Sequence, residues 1–140
     1  MYLYIDSTSS SDYFSDNSSV DFRVKLPKQL QLYGAWELAV ISVTFPALAP
    51  EYKGSVIYIN TDICEESVYN STLQCILCNV HRRDVNKERH VEFIRPSYVR
   101  LNAEHVSVLR VYLTDNKRQQ PLFQSGAFYC TLHLRKCLHQ

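Results

Sequence analysis

Apolar and polar residues alternate along most of this 140-residue chain, in short runs that polar turn residues separate. Alternation with a period of two places one set of side chains on each face of a strand, so it indicates half-buried β-strands. The last run predicts Phe128, Cys130, Leu132 and Leu134 on its inward face. Eight segments have the pattern: Tyr2–Asp6, Asp21–Leu26, Trp36–Phe45, Ser55–Asn60, Gln74–His81, His90–Leu101, His105–Asp115 and Ala127–Lys136.

Helices are not predicted. The one candidate, Cys64–Cys75, is short and rich in Ser, Asn and Thr, which favour loops, so we expect at most one helical turn there. Eight short strands predict an all-β protein, specifically a single eight-stranded jelly-roll β-sandwich in which residues 1–140 form one domain. In this topology the first strand lies beside the eighth and the third beside the sixth. Pro96 forces a bend or an edge in the sixth strand.

The third segment, Trp36–Phe45, is apolar on both faces. A strand of a free-standing sandwich should have one polar face, whereas strands that are covered on both sides have this composition. Two explanations remain open: the second face is covered by the protein's own loops, at 7–19 or 64–73, or by a neighbouring subunit. On either explanation, we expect Trp36 to be substantially buried. The two faces carry Trp36, Leu38 and Val40, and Ala39, Ile41, Val43 and Phe45.

A serine-rich segment, Ser7–Ser19, separates the first two predicted strands. It is either a flexible loop that its serines keep solvated, or an ordered loop that Tyr13 and Phe14 attach to the sandwich or to a neighbour. Aromatic residues in the middle of the segment favour the second interpretation, because a purely solvating loop does not need them.

Composition and charge limit the classes of partner that we expect for this protein. The formal net charge is +1, which predicts no specific nucleic-acid partner and no attraction to anionic membranes. No apolar run approaches the roughly 20 residues of a membrane helix, and the N-terminus lacks the features of a secretory signal. We therefore interpret the sequons at Asn17 and Asn70 as chance matches. For the same reason we expect reduced thiols at all five cysteines, Cys64, Cys75, Cys78, Cys130 and Cys137.

Three clusters of Cys, His or basic residues are weak candidates for a metal-binding or nucleic-acid-binding site. Cys75 and Cys78 have C-x-x-C spacing, but residues three apart on a strand point to opposite faces, so they share a metal only if the strand bulges. The run Cys130, His133, Cys137 and His139 has irregular spacing. The basic run His81–His90 contains no aromatic residue and predicts a solvated hairpin connection.

Catalytic motifs are also missing. The sequence has no nucleophile elbow, no H-E-x-x-H and only three glycines with which to build a phosphate-binding loop. We therefore predict no enzyme activity and no cofactor. We assign no residue to a catalytic, cofactor-binding or metal-binding role.

The segment from Tyr13 to Pro46 resembles the start of small capsid proteins encoded by Maverick/Polinton elements and adintoviruses. In that family a "DN…F.V.LP…L…WE…" pattern begins a single jelly roll. The stretches "VIYINTDI" and "LRVYLTDNKRQQPLFQSGAFYCTLHLRK" are similar to the family's later strands, so the resemblance covers nearly the whole chain. The matching positions are Asp16, Asn17, Phe22, Val24, Leu26, Pro27, Leu30, Trp36, Glu37 and Pro46.

The resemblance implies a penton-type minor capsid protein, a structural component of the virion. Its implied partners are further copies of itself, as a homopentamer at the fivefold vertex, a double-jelly-roll major capsid protein and a fibre. The implied place of assembly is inside the host cell, in the nucleus. The compact connection at 47–54 leaves no room for a large inserted domain.

A second hypothesis comes from another functional class. A ligand- or carbohydrate-binding β-sandwich module would align exposed aromatic rings on one sheet face. Tyr58, Tyr112 and Tyr129 are the members that the sequence suggests.

Overall fold

The computed structural model describes residues 1–69, 71–81 and 88–138. These residues contain no helix, and therefore none that is long and apolar enough to span a membrane. They form eleven strands: β1 Tyr2–Asp6, β2 Asp21–Gln31, β3 Trp36–Phe45, β4 Val56–Thr61, β5 Ser67–Tyr69, β6 Thr72–Gln74, β7 Ile76–His81, β8 Arg89–Glu92, β9 Val99–Arg100, β10 His105–Asp115 and β11 Tyr129–Lys136.

The strands form two packed antiparallel sheets and a hairpin. Sheet A has the order β1-β11-β3-β8, and β9 also pairs with β3; sheet B has the order β2-β10-β4-β7. The first strand thus lies beside the last, and the third lies beside the segment that contains β8 and β9. This is the predicted jelly-roll arrangement, and the prediction that Tyr2–Asp6 pairs with the last strand is confirmed.

The predicted strand count of eight differs from the structure. The sixth predicted segment is divided into β8 and β9, because the chain around Pro96 leaves the ladder with β3. The segment at 64–75, predicted as a loop with at most one helical turn, instead contains the β5–β6 hairpin, in which Val68 lies opposite Leu73. Neither difference changes the order of the eight principal strands.

Alternating side chains from the two sheets form the core. In β11 the even-numbered residues face inward, as predicted, because Cys130, Leu132 and Leu134 are buried. Phe22 of β2 and Phe128, just before β11, have ring centroids 5.9 Å apart between the sheets. The largest fully buried apolar side chains are Phe22, Phe128, Leu38, Ile59, Leu109, Leu113, Leu132, Leu134, Val43 and Val111.

A β-bulge in β3 explains its two apolar faces. Val40 lies opposite Leu132 and Ser42 lies opposite Thr131, so Ile41 is an extra residue. An extra residue reverses the alternation of the side chains that follow it. Inward positions therefore change from even to odd numbers, so Leu38 and Val40 before the bulge and Val43 and Phe45 after it face the same core.

No neighbouring subunit is needed to cover β3. Leu38 and Val40 before the bulge, and Val43 and Phe45 after it, are all buried within the single chain. The strand composition therefore gives no information about partners. A charged substitution at Phe45 would disrupt the core and would not test an interface.

Trp36 is less buried than we predicted. Its side chain is only partly buried against the core, and its indole Nε1 donates a hydrogen bond to the Tyr33 carbonyl oxygen at 3.0 Å. Trp36 therefore sits at the end of the sandwich, where β3 begins, with one side of its ring accessible.

The serine-rich loop is ordered along the free edge of β2. Edge strands expose unpaired backbone groups that can pair with other chains, and proteins usually protect them. Asn17 protects this edge at Arg23, where its Nδ2 donates to the carbonyl oxygen and its Oδ1 accepts from the backbone N–H, both at 2.8 Å. The carboxamide of Asn17 thus replaces a residue of an adjacent strand.

Serines of the loop form hydrogen bonds with the backbone groups of neighbouring β2 residues. Ser18 donates its backbone N–H to the Asp21 carbonyl oxygen at 2.9 Å, and its Oγ accepts from the Asp21 N–H at 3.2 Å. Ser10 Oγ accepts from the Lys25 N–H at 3.0 Å. Pro27, the next odd-numbered residue of β2, has no N–H to expose.

An aromatic residue helps to hold this loop, as the second interpretation of the segment expects. The Lys25 ammonium group lies 4.3 Å from the centre of the Tyr13 ring, a cation–π contact between the edge strand and the loop. The loop is therefore an ordered segment that packs along the edge of β2, and it is not a solvated linker.

Replacing Phe22 by alanine should destabilise the protein by about 3–5 kcal/mol, because Phe22 is fully buried between the sheets. Trp36→Ala should cost less than about 3 kcal/mol, since part of that ring already contacts solvent. Urea denaturation of both variants measures the difference. Equal or reversed costs would contradict this placement of the core.

Asn17→Ala should expose the edge of β2. It removes two hydrogen bonds, so we expect a loss of about 1–2 kcal/mol and at least about tenfold faster hydrogen exchange at the Arg23 amide. The matched control is Ser15→Ala, because Ser15 is exposed in the same loop. Unchanged exchange at Arg23 in Asn17→Ala would show that the loop does not protect this edge.

Candidate functional site

The structure brings no third ligand to the C-x-x-C pair. β7 does contain the bulge that a shared site would need: Ile59 lies opposite Cys78 and Asn60 opposite Ile76, which makes Leu77 an extra residue. Within residues 1–69, 71–81 and 88–138, however, no group of three His, Cys, Asp or Glu side chains could hold a metal ion. The pair therefore has no partner with which to complete a site there.

Burial holds four of the cysteine thiols in the protonated form. Burial raises the pKa of Cys64 and of Cys78 to about 12, and it also raises the pKa of Cys75 and of Cys130. The thiolate is the nucleophile and the metal ligand, so these four sulfurs are poor at either role at neutral pH.

The cluster of cysteines and histidines between Cys130 and His139 does not come together, because its first members lie on opposite faces of β11. Cys130 is buried in the core, whereas His133 lies on the outer face, where its Nδ1 is 2.7 Å from the Tyr98 hydroxyl oxygen. Cys137 follows the end of the strand, and His139 lies outside the described residues. Cys130 and His133 therefore do not share a site, as their spacing on a strand predicts.

Most of the basic run between His81 and His90 lies outside the described residues, at 82–87, as does Asn70. The ends of the run are adjacent, because Arg89 Nη1 donates a hydrogen bond to the His81 carbonyl oxygen at 2.9 Å. The prediction of a solvated hairpin connection concerns the part that is not described, and it stays a prediction.

The three tyrosines that the second hypothesis named do not share a face. Tyr58 and Tyr112 lie on the outer face of sheet B, where Tyr58 packs edge-on against Tyr69 and the Arg110 guanidinium lies 4.2 Å from the Tyr112 ring. Tyr129 lies on the outer face of sheet A. The proposed alignment of these three rings is therefore wrong.

One sheet edge is open. Met1 and Leu134 exchange two backbone hydrogen bonds, and Ser7 N–H donates to the Phe128 carbonyl oxygen. Because bonded and non-bonded pairs alternate in an antiparallel ladder, Tyr2 and Tyr4 direct their backbone N–H and C=O groups away from β11. These groups have no partner in the described part of the chain, so β1 can still accept another strand.

An apolar groove lies beside this open edge. It has a volume of about 520 Å³ and runs between the start of β1 and the irregular part of β2; Met1, Leu30, Leu32 and Trp36 contribute its apolar lining. The groove exists because four residues of β2, 26–29, lie opposite the single residue Ser107, which widens the strand there. The accessible side of Trp36 faces this groove.

The opposite side of the sandwich also exposes apolar side chains. Ile94, in the connection between β8 and β9, is 95% exposed. Val68 and Leu73, a cross-strand pair of the β5–β6 hairpin, are 70% and 64% exposed. Tyr69 of the same hairpin lines a depression with residues of β7 and with Phe93, so these groups belong to the β7/β8 side. This side therefore offers several exposed apolar side chains that are candidates for a contact surface.

Comparisons with known proteins agree with this architecture. No protein-family model matches the sequence, and no curated protein matches it. The crystal structure of the mavirus penton protein is similar to this chain, with a TM-score of 0.63 and 8% sequence identity; the match covers 97% of this chain and 99% of that protein. The resemblance to a penton-type protein is thus confirmed at the level of fold, and the chain has the single jelly-roll architecture of a viral penton protein.

Proposed function

We propose that this chain is a structural, non-enzymatic capsid protein that forms the vertices of a virus particle, or of a particle made by a virus-derived element. One observation carries the proposal: the fold matches a viral penton protein over nearly the full length of both chains. Residues 1–140 would act as one jelly-roll domain in the virion. Burial holds the thiols of Cys64 and Cys78 in the protonated form, which makes them poor nucleophiles and is consistent with a non-enzymatic role.

The proposed assembly is a ring of five copies. A cyclic ring uses heterologous contacts, in which one side of each subunit meets the opposite side of the next. The chain has two such sides: the open β1 edge with its groove, and the β7/β8 side with Ile94 and Val68. A stable contact needs about 1,000 Å² of buried area with apolar residues at its centre, and both sides offer exposed apolar groups for it.

The proposed partners beyond the ring are a double-jelly-roll major capsid protein and a fibre, with assembly inside the host cell. The serine-rich loop lies on the β2 edge, on the same side of the sandwich as β1. It would therefore lie near a subunit boundary of the ring.

Ile94→Asp should convert the ring into monomers. The wild-type chain should have five times the 16.3 kDa chain mass in solution, and the variant should have one chain mass. Because Ile94 is almost fully exposed, the thermal midpoint of the isolated subunit should not change. Analytical ultracentrifugation measures the mass.

Leu122→Asp is the matched control, since Leu122 is an exposed apolar residue in the loop between β10 and β11, outside the residues that form either proposed side. It should leave the pentamer intact. A wild-type chain that stays monomeric at high concentration would contradict the self-assembled ring. A pentamer that Ile94→Asp leaves intact would place the contact elsewhere.

All five cysteines should titrate as free thiols in denaturant without reductant, and the four with raised pKa values should react slowly with iodoacetamide in the native protein. Their folded-state pKa lies above the ordinary value of 9.0, so the contribution of these thiols to stability should be constant below about pH 9 and should be lost as the pH rises towards about 12. Alkylation followed by mass spectrometry, and thermal midpoints against pH, test both points. One rapidly alkylated cysteine among the four would argue for a reactive site.

A further inference from the structure

The outer face of sheet A carries an ordered array of polar and aromatic side chains. Strand register places them in two rows that cross four strands. One row is Asp6, Tyr129, Thr44 and His90; the adjacent row is Tyr4, Thr131, Ser42 and Glu92. None of these residues belongs to the core, and neither side proposed for the ring contact contains the middle of this face.

The array surrounds a shallow depression of about 260 Å³. Three short hydroxyl side chains, Ser42, Thr44 and Thr131, form its floor, and the larger side chains of Tyr4 and Tyr129 border it. Pockets for drug-sized ligands are about 300–1,000 Å³, so this depression suits a smaller, ring-sized molecule that remains partly in solvent.

Two exposed aromatic rings border the depression. Tyr4 is 78% exposed, although its ring stacks on Tyr2 with the centroids 6.4 Å apart. Tyr129 is a diagonal neighbour of Tyr4 on the adjacent strand, because Thr131 lies opposite Tyr4. Diagonal neighbours on adjacent antiparallel strands lie about 7–8 Å apart, so one ligand ring can contact both tyrosines. The rings therefore offer an apolar surface with hydroxyl groups at its border.

The polar groups are held in place by the chain itself. Asp6 Oδ1 accepts hydrogen bonds from the Thr8 N–H and Oγ1 at 2.8 and 2.7 Å. Its Oδ2 accepts none from the described part of the chain. His90 is fixed by a 2.7 Å hydrogen bond between its Nδ1 and the Thr44 hydroxyl group. Groups that are already oriented lose little entropy when a ligand binds.

We propose that this depression binds a neutral saccharide. A pyranose ring has an apolar C–H face, which would pack on Tyr4 and Tyr129, and hydroxyl edges, which would donate to Asp6 and exchange hydrogen bonds with the floor. Among the residues that the structure describes, no Lys or Arg lines the depression, and the Asp6 carboxylate would repel an acidic sugar. Every contributing residue belongs to one chain, so the site is complete without the proposed ring.

Binding can be measured by NMR titration of the wild-type chain with methyl β-D-galactopyranoside, N-acetyl-D-glucosamine and lactose. Expected affinities are weak, with Kd on the order of 1 mM. Chemical-shift changes should concentrate at Tyr4, Asp6 and Tyr129. Tyr4→Ala and Asp6→Asn should each weaken binding about tenfold, without a change in thermal midpoint, because both side chains lie outside the core.

Tyr13→Ala is the matched control, since Tyr13 is a similarly exposed tyrosine on the β2 edge. It should leave sugar binding unchanged. N-acetylneuraminic acid should bind more weakly than the neutral sugars. The proposal is overturned if none of the three neutral sugars binds, if the acidic sugar binds best, or if Tyr4→Ala and Asp6→Asn bind like the wild type.

Discussion

The backbone hydrogen-bonding groups at the sheet edges are the constraint on which this structure depends. Two open sheets have free edges, and every exposed N–H and C=O there must find water, a side chain or another strand. The chain satisfies the β2 edge internally, through Asn17, Ser18 and Ser10. It leaves the β1 edge open at Tyr2 and Tyr4. The same sandwich therefore has one edge closed to pairing and one edge, on the same side, that is available for it.

Bulges decide where side chains of the sheets point. In β3 the extra residue Ile41 lets one strand contribute Leu38 and Val43 to the same core, although the two lie five positions apart and strict alternation would separate them. In β2 the irregularity opposite Ser107 widens the strand and opens the groove beside Trp36. Irregular pairing thus produces both the closed core and the proposed contact surface.

The candidate sites were only partly predictable. Tyr129 was identified as an exposed aromatic residue, but Tyr58 and Tyr112 were grouped with it wrongly, because alternation shows that a side chain points outward and does not show from which sheet. Tyr4 and His90 were missed as site residues. They are 86 positions apart in the chain, and only the register of β1, β11, β3 and β8 places them on one surface.

Local chemistry determined the strands: period-two alternation located all eight principal segments and the inward face of β11, and the jelly-roll topology that eight strands indicate predicted the pairing of the first strand with the last. These features follow from side-chain burial and chain closure, which act along a strand or at the termini. The sequence also predicted a bend or an edge at Pro96 and an aromatic attachment of the serine-rich loop, whereas the tertiary structure alone decided the β5–β6 hairpin, the partial exposure of Trp36 and the hydrogen bonds by which the loop covers β2. Each of these depends on how neighbouring strands pair and pack, which no single segment of the sequence specifies.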